Sequence, residues 1–158
     1  MTAGDLARFV AAQEGVIDHA LAELRAGAKR SHWMWFVFPQ VAGLGQSPTA
    51  RHFAIGSAGE ARRYLAHPVL GPRLHAAAAA MMTQAGLDPA AVLGGIDAAK
   101  LRSSMTLFAA VAPDPAPFNE VLDAFYAGER DPLTLAFLDQ AGAATPPAGP
   151  TGASSPRE

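Results

Sequence analysis

The sequence predicts an all-α protein: one compact bundle of about six to eight helices, followed by a disordered C-terminal tail. Residues that start and stop helices bracket segment after segment along the chain. Apolar residues within those segments repeat at helical spacing, and almost no segment alternates as a strand does. No internal repeat suggests a solenoid. At 158 residues, half of them hydrophobic, the chain suits a single domain with its own core.

The first helix is predicted over residues 5–26. Its apolar side chains fall on one stripe, at the spacing of a single buried face. Gly27 follows, where a helix C-terminus favours glycine. Gln13 also lies on the stripe, one turn from Phe9 and one turn from Ile17. We therefore expect the Gln13 amide to point into the core and to need a hydrogen-bond partner.

The next element is the aromatic segment 33–38, which Pro39 ends. Its composition alone favours a strand. A strand needs a partner for its backbone, however, and the chain offers no second candidate. We therefore predict a short helix here, capped by Ser31. After a glycine-containing turn, Ser47-Pro48 is expected to open another helix.

The remaining helices follow from capping residues and prolines. Ser57 and Glu60 form a capping box at the start of one helix. His67-Pro68 interrupts it, because the residue before proline avoids the helical region, and Gly71-Pro72 restarts it. Asp88-Pro89 starts a short helix, which Gly94-Gly95 ends.

The last predicted helices complete one domain over residues 1–140. Asp97 is expected to cap a helix over residues 98–111, and Pro117 and Asp131-Pro132 open two more. From residue 141 to residue 158 the composition changes, since 16 of the 18 residues are Ala, Gly, Pro, Ser or Thr. Such a segment cannot build a packed core, so we predict a disordered tail over residues 141–158.

Composition excludes several classes of function. A net charge of −2, from 12 basic and 14 acidic residues, provides no field that would attract nucleic acid or an anionic membrane. The absence of cysteine excludes disulfides, thiolate metal sites and a cysteine nucleophile. We find neither a secretory signal nor an apolar run long enough to span a membrane, so we expect a cytoplasmic protein.

Basic residues adjoin aromatic residues in KRSHWMWFVFPQ, residues 29–40. Lys29, Arg30 and His32 stand beside Trp33 and Trp35, a combination that can bind an anion and stack on a flat group. The competing interpretation is that the aromatic residues belong to the core and the basic residues to a solvated helix end. The net charge of the chain disfavours nucleic acid as the ligand.

A second polar cluster lies in KLRSSMT, residues 100–106. On a helix, Lys100 neighbours Ser103 and Ser104, and a lysine beside a serine can activate it as a nucleophile. Ser104 also shares a stripe with apolar residues, so a structural role, with its hydroxyl bonded back to the Lys100 carbonyl, is the more common outcome.

The histidines do not indicate a metal site. No two of the five have the spacing of helical zinc ligands, and Glu23, four residues after His19, makes only a pair. We therefore expect no metal, and the sequence names no cofactor. His32 and His67 each adjoin a helix boundary, where a ring nitrogen can cap the helix or take part in chemistry.

Several of these motifs together resemble a known family. The strings RFVAAQ, KRSHWMWFVFPQ, GLGQSP, FAI, YLAHPVLGPRL, KLRSSMTLF and FNEVLDAFYAG occur in order over residues 5–140. They are similar to the bacterial family catalogued as domain of unknown function 1810, whose members are sometimes labelled calpastatin without support in these residues. The resemblance implies a compact, mainly helical domain and brings no activity and no assigned catalytic residues. Phe53 stands where that pattern often has tyrosine.

The leading functional hypothesis is a small-molecule pocket where the segment 33–38 meets the helix 98–111. Its ligand would be anionic or nucleotide-like, and the sequence leaves open whether the protein is an enzyme. The catalytic candidates are His32, Lys100 and Ser103. The ligand-binding candidates are Lys29, Trp33, Trp35, Gln40, Gln13, His67 and Ser104.

The alternative is a non-enzymatic module that binds a protein partner through an exposed aromatic patch. In a third interpretation the motif is core and its polar residues satisfy helix ends.

Overall fold

The structure is a computed structural model that describes residues 2–144. Over that range the chain forms ten α-helices and no strand, apart from an isolated bridge between Val41 and Ile55. The helices are α1 (Thr2–Gln13), α2 (Ile17–Ala26), α3 (Met34–Val37), α4 (Pro48–His52), α5 (Ala58–Ala66), α6 (Leu70–Met82), α7 (Pro89–Leu93), α8 (Gly95–Val111), α9 (Ala116–Tyr126) and α10 (Pro132–Ala144). The all-α prediction is confirmed. Helices outnumber the predicted six to eight because the first predicted helix is divided and because the short helices α3, α4 and α7, each predicted from its own start signal, count separately.

The first helix is divided at Gly15. The prediction of one helix over residues 5–26 was wrong, since α1 ends at Gln13 and α2 begins at Ile17. Gly15 has φ +74°, a left-handed conformation that glycine adopts readily and that ends a helix. The stripe of apolar residues continues across this turn, which explains why spacing alone did not reveal it.

The aromatic segment forms the short helix α3, as predicted. Its expected cap is absent, however, because the Ser31 side chain donates to the Glu23 carboxylate instead, and Trp33 occupies the position before the helix. The next prediction is confirmed: Ser47 caps α4, and its Oγ accepts a hydrogen bond of 3.1 Å from the Ala50 N–H.

The capping box of α5 is present in a modified form. The Ser57 Oγ accepts from the Glu60 N–H at 3.0 Å, but the Glu60 carboxylate accepts from the Gly56 N–H rather than from that of Ser57. His67 follows α5, and its Nδ1 accepts from the N–H groups of Val69 and Leu70 at 3.1 and 3.3 Å. Helix α6 therefore begins at Leu70, two residues before Pro72, which was predicted as its first helical position.

The C-terminal helices agree with the prediction except at two positions. Asp88 caps α7 as expected, but Asp97 does not cap α8, which begins at Gly95 and carries Asp97 in its first turn. Helix α10 continues to Ala144, four residues into the segment predicted as tail. Residues 145–158 lie outside the described residues. No helix within the described range is long and apolar enough to cross a membrane.

Helix α8 is the central element of the bundle. It packs against α5, α7, α9 and α10, and its residues 103–108 are all buried. Its N-terminal turn faces the loop between α2 and α3, and that loop is joined to α7 by a 2.8 Å hydrogen bond from the Lys29 N–H to the Val92 carbonyl. This junction places the two polar motifs of the sequence, residues 29–40 and 100–106, beside each other.

Candidate functional site

The two tryptophans of the aromatic segment have different environments. Trp33 is fully buried, and its Nε1–H donates to the Glu23 carboxylate at 2.9 Å, so neither face of its ring is open to a ligand. Trp35 is partly exposed. The Lys100 ammonium lies 5.0 Å from the centroid of the Trp35 ring, and the His32 ring centroid lies 6.5 Å from it.

Two adjoining depressions surround Trp35. The larger is a groove of about 320 Å³, a size typical of small-ligand sites. Besides Trp35, it is lined by His32, Lys29, Met34, Leu93 and residues 94–97 at the start of α8. The smaller is a crevice that shares Met34 and Trp35 with the groove and is lined also by Phe38, Gln40, Ala50, Phe53 and Lys100. We call His32, Trp35, Gln40, Asp97 and Lys100 the Trp35 site.

The Lys29 side chain is fully engaged by neighbouring residues of the groove. Its Nζ lies 2.9 Å from Asp97 Oδ2, donates to the Ser31 carbonyl at 2.6 Å and sits 5.0 Å from the Trp33 ring centroid. The side chain is only 7% exposed. The sequence suggested Lys29 as an anion-binding residue, but with these partners it fixes the loop before α3 to the first turn of α8.

Lys100 has unused hydrogen-bonding capacity. Its ammonium lies 3.6 Å from Asp97 Oδ1, which is an ion pair without a hydrogen bond, and it donates to no residue in the described part of the chain. An ammonium carries three N–H donors. Its side chain is 20% exposed, so the ammonium is accessible from solvent beside the Trp35 ring.

His32 is the second group with free donor and acceptor atoms. It is exposed at the edge of the groove, and neither ring nitrogen is hydrogen-bonded within residues 2–144. The imidazole can therefore donate or accept a hydrogen bond to a bound molecule.

Glu23 fixes the loop before α3 through hydrogen bonds, a role that the sequence did not reveal. Its carboxylate accepts hydrogen bonds from the N–H groups of Arg30 and Ser31, from the Ser31 hydroxyl and from the Trp33 indole. Partial burial alone would raise the pKa of this carboxyl, but these hydrogen bonds outweigh it and lower the pKa to about 2. The sequence showed Glu23 only as a residue four positions after His19.

Because the pKa of Glu23 is lowered in the folded protein, the free energy of unfolding depends on pH in the acidic range. A carboxyl whose pKa is lower in the folded state stabilises the fold above its ordinary pKa of 4.5, and that contribution is lost as the pH falls from about 4.5 to about 2. Because the carboxylate is partly exposed to solvent, we expect about 1–2 kcal/mol. Urea unfolding of Glu23→Gln should show a deficit of this size at pH 7 that shrinks by pH 2.5. A deficit that is equal at both pH values would contradict the assignment.

The Gln13 amide points into the core and is hydrogen-bonded there, as predicted. The side chain is 1% exposed, and its Nε2 donates to the Phe36 carbonyl at 2.7 Å and to the Tyr64 hydroxyl at 3.1 Å. Its Oε1 accepts from Arg73 at 3.3 Å. Gln13 thus holds the backbone of α3 from the core side, and it does not line the groove or the crevice.

Three other candidate residues lie away from the groove and the crevice. Ser103 Oγ is within 3.1 Å of Asp131 Oδ2, the oxygen that also accepts from the Thr134 N–H at the start of α10. Ser104 is buried, and its Oγ has no hydrogen-bond partner among the described residues, so the expected bond to the Lys100 carbonyl is not made. His67 caps α6. The structure therefore brings together His32, Trp35, Gln40 and Lys100 but not these three.

A separate apolar cleft of about 460 Å³ lies at the other end of α8. Its walls are Leu65, Ala66, Val111, Ala112 and Pro113, with Arg62, His75 and Asp114 at its edges. None of the candidate site residues predicted from the sequence lines this cleft, so substitutions there can serve as controls for substitutions at the Trp35 site. Among the described residues, no group of three or more His, Asp or Glu side chains could hold a metal ion.

Comparison with known proteins places the chain in a family. The family described as "Protein of unknown function (DUF1810)" matches residues 3–138. The crystal structure of the conserved hypothetical protein Rv1873 from Mycobacterium tuberculosis superposes with a TM-score of 0.83 at 47% sequence identity. That match covers 85% of this chain and 96% of the other. No curated protein matches the sequence significantly. The chain therefore belongs to the DUF1810 family, as its motifs indicated.

Proposed function

We propose that the protein binds a small anionic molecule with a planar part at the Trp35 site. One observation carries this proposal: two polar groups with unused hydrogen-bonding atoms, Lys100 and His32, flank a partly exposed indole at a concave surface. Mostly apolar concave surfaces with a few converging polar groups are the usual form of ligand sites.

Each group has a distinct part in binding. The Lys100 ammonium pairs with the anionic group, and the Trp35 ring packs against the planar part. His32 hydrogen-bonds a polar atom at the groove edge. The start of α8 lines the same groove, and the positive end of its helix dipole adds a favourable potential for an anion.

Burial of the aromatic residues favours a ligand pocket over an aromatic protein-binding patch. Trp33, Phe36 and Phe38 are buried, so within the described residues of this segment only Trp35 presents an aromatic ring to solvent. A hot spot for a protein partner needs several exposed large side chains that can be buried together. Among the described residues that line the groove, Ile96 is the one exposed large apolar side chain.

A thermal-shift screen tests the proposal. Nucleotides, sugar phosphates, amino acids and aromatic acids would be compared at equal concentration, since a ligand at about 100 times its dissociation constant adds about 2.7 kcal/mol of stability. We expect aromatic or nucleotide-like anions among the hits. Lys100→Met and Trp35→Ala should each weaken such a hit at least about tenfold, equivalent to about 1.4 kcal/mol.

Arg62→Met is the matched control for Lys100→Met. Arg62 is exposed at the edge of the distant apolar cleft and has no hydrogen-bond or ion-pair partner among residues 2–144, so its loss removes the same charge elsewhere. The proposal expects unchanged affinity in this variant. Hits that weaken in Arg62→Met and keep their affinity in Lys100→Met would move the site to that cleft and overturn the proposal.

A further inference from the structure

We infer that the Trp35 site selects ligands with a single negative charge over dianions, and that Asp97 sets this selectivity. The inference rests on the proposed function and goes beyond it by naming the charge class of the ligand.

Asp97 lies between the two lysines. Its Oδ2 is 2.9 Å from Lys29 Nζ, and its Oδ1 is 3.6 Å from Lys100 Nζ. The carboxylate is in the first turn of α8, where the helix dipole also stabilises a negative charge. Asp97 is therefore held at the groove, with 19% of its side chain exposed.

The charges around Trp35 leave one positive charge without a full partner. Lys29, Asp97 and Lys100 are the side chains with a full charge that line the groove and the crevice, as the structure describes them. The charges of Lys29 and Asp97, which form a close pair, cancel. The more distant Lys100 ammonium therefore gives the site a net charge of about +1. One negative charge on a ligand therefore completes the balance.

For a second negative charge on the ligand, the added desolvation cost exceeds the added electrostatic attraction. The cost of removing an ion from water rises with the square of its charge, whereas the attraction to a fixed set of charges rises only in proportion. In addition, an anionic group that contacts Lys100 lies no more than roughly 6–7 Å from the Asp97 carboxylate, because the two side chains are 3.6 Å apart, and at that separation the repulsion of each extra charge weakens binding on the order of tenfold. The site therefore prefers a carboxylate, sulfate ester or phosphodiester to a phosphate monoester.

Phenyl sulfate and phenyl phosphate provide a matched pair of probes. Both carry a flat ring and a tetrahedral anionic group, but at pH 8 the sulfate ester has one negative charge and the phosphate ester has close to two. Dissociation constants would be measured by NMR titration of the full-length protein. We expect phenyl sulfate to bind wild-type protein about threefold more tightly or better, by the balance of attraction and desolvation.

Two variants raise the charge of the site by one unit. Asp97→Asn removes the negative charge, and Gln40→Lys adds a positive charge in the crevice without disturbing the Lys29–Asp97 pair. In each, the ratio of the two dissociation constants should move about tenfold toward phenyl phosphate. Gln40→Met replaces the same side chain without adding charge, so only the difference between Gln40→Lys and Gln40→Met in this ratio is due to the added charge. If Asp97→Asn does not fold, Gln40→Lys still tests the charge balance.

The outcomes separate this inference from the proposed function. If neither probe moves the Trp35 indole signal, the proposed function is wrong. If both probes bind there but wild-type protein prefers phenyl phosphate, or if the ratio is the same in Gln40→Lys and Gln40→Met, the anion site stands and the charge selectivity is overturned.

Discussion

Replacing Trp33 with alanine is expected to lower the free energy of unfolding by about 3–5 kcal/mol. Trp33 is fully buried, packs beside the Phe38 ring at a centroid distance of 6.4 Å and donates its indole N–H to Glu23. Truncation leaves a large cavity and removes one of the hydrogen bonds that fix the loop before α3. Urea unfolding followed by circular dichroism measures the loss.

The matched control is Trp35→Ala, two residues further along. Trp35 is partly exposed at its contact with the core, so the same truncation should cost clearly less stability, about 1–3 kcal/mol, while it weakens ligand binding. Equal losses of stability in the two variants would show that Trp35 is as much a core residue as Trp33. The division between a structural and a functional tryptophan would then be wrong.

Gly71→Ala is expected to destabilise the fold by about 3 kcal/mol or more. A Cβ atom at this position would lie 2.2 Å from the Leu65 carbonyl oxygen, and both partners are backbone, so neither can move without displacing α5 from α6. Thermal unfolding of the variant measures this effect as a large drop in the midpoint.

Gly95→Ala provides the comparison for Gly71→Ala. Gly95 begins α8, and a Cβ there would meet nothing within 4 Å. Alanine should be neutral or stabilise the protein by up to about 1 kcal/mol, because it restricts the unfolded chain. If Gly71→Ala were as stable as Gly95→Ala, the close approach of α5 and α6 would have to be revised.

Helix ends were predictable from sequence where the capping contact is local. Ser47 and Asp88 cap through atoms two or three residues away, so the pattern of side chains was sufficient. Ser31 and Asp97 have the same cap-forming side chains, yet each is engaged by a residue distant in sequence, Glu23 and Lys29 respectively. Spacing along one helix cannot show such a competing partner.

The neighbourhood of the candidate site was predicted, but the roles within it were not. The sequence grouped His32, Trp35 and Lys100, and the structure places all three together. It could not decide which lysine was free, because the answer depends on the position of Asp97 in the folded chain. Ser103 follows Lys100 by one helical turn, but its hydroxyl contacts Asp131, just before α10, instead.

The most direct test of the account is an NMR titration of the two tryptophan indole N–H signals with phenyl sulfate, with Trp35→Phe used to assign them. The site predicts that the Trp35 signal shifts in a saturable way while the Trp33 signal, held on Glu23 in the core, stays in place. Lys100→Met should strongly reduce the shift at the same sub-saturating ligand concentrations, because it weakens binding at least about tenfold. A Trp35 signal that does not move, or that moves equally in wild-type protein and in Lys100→Met, would contradict an anion site at Trp35.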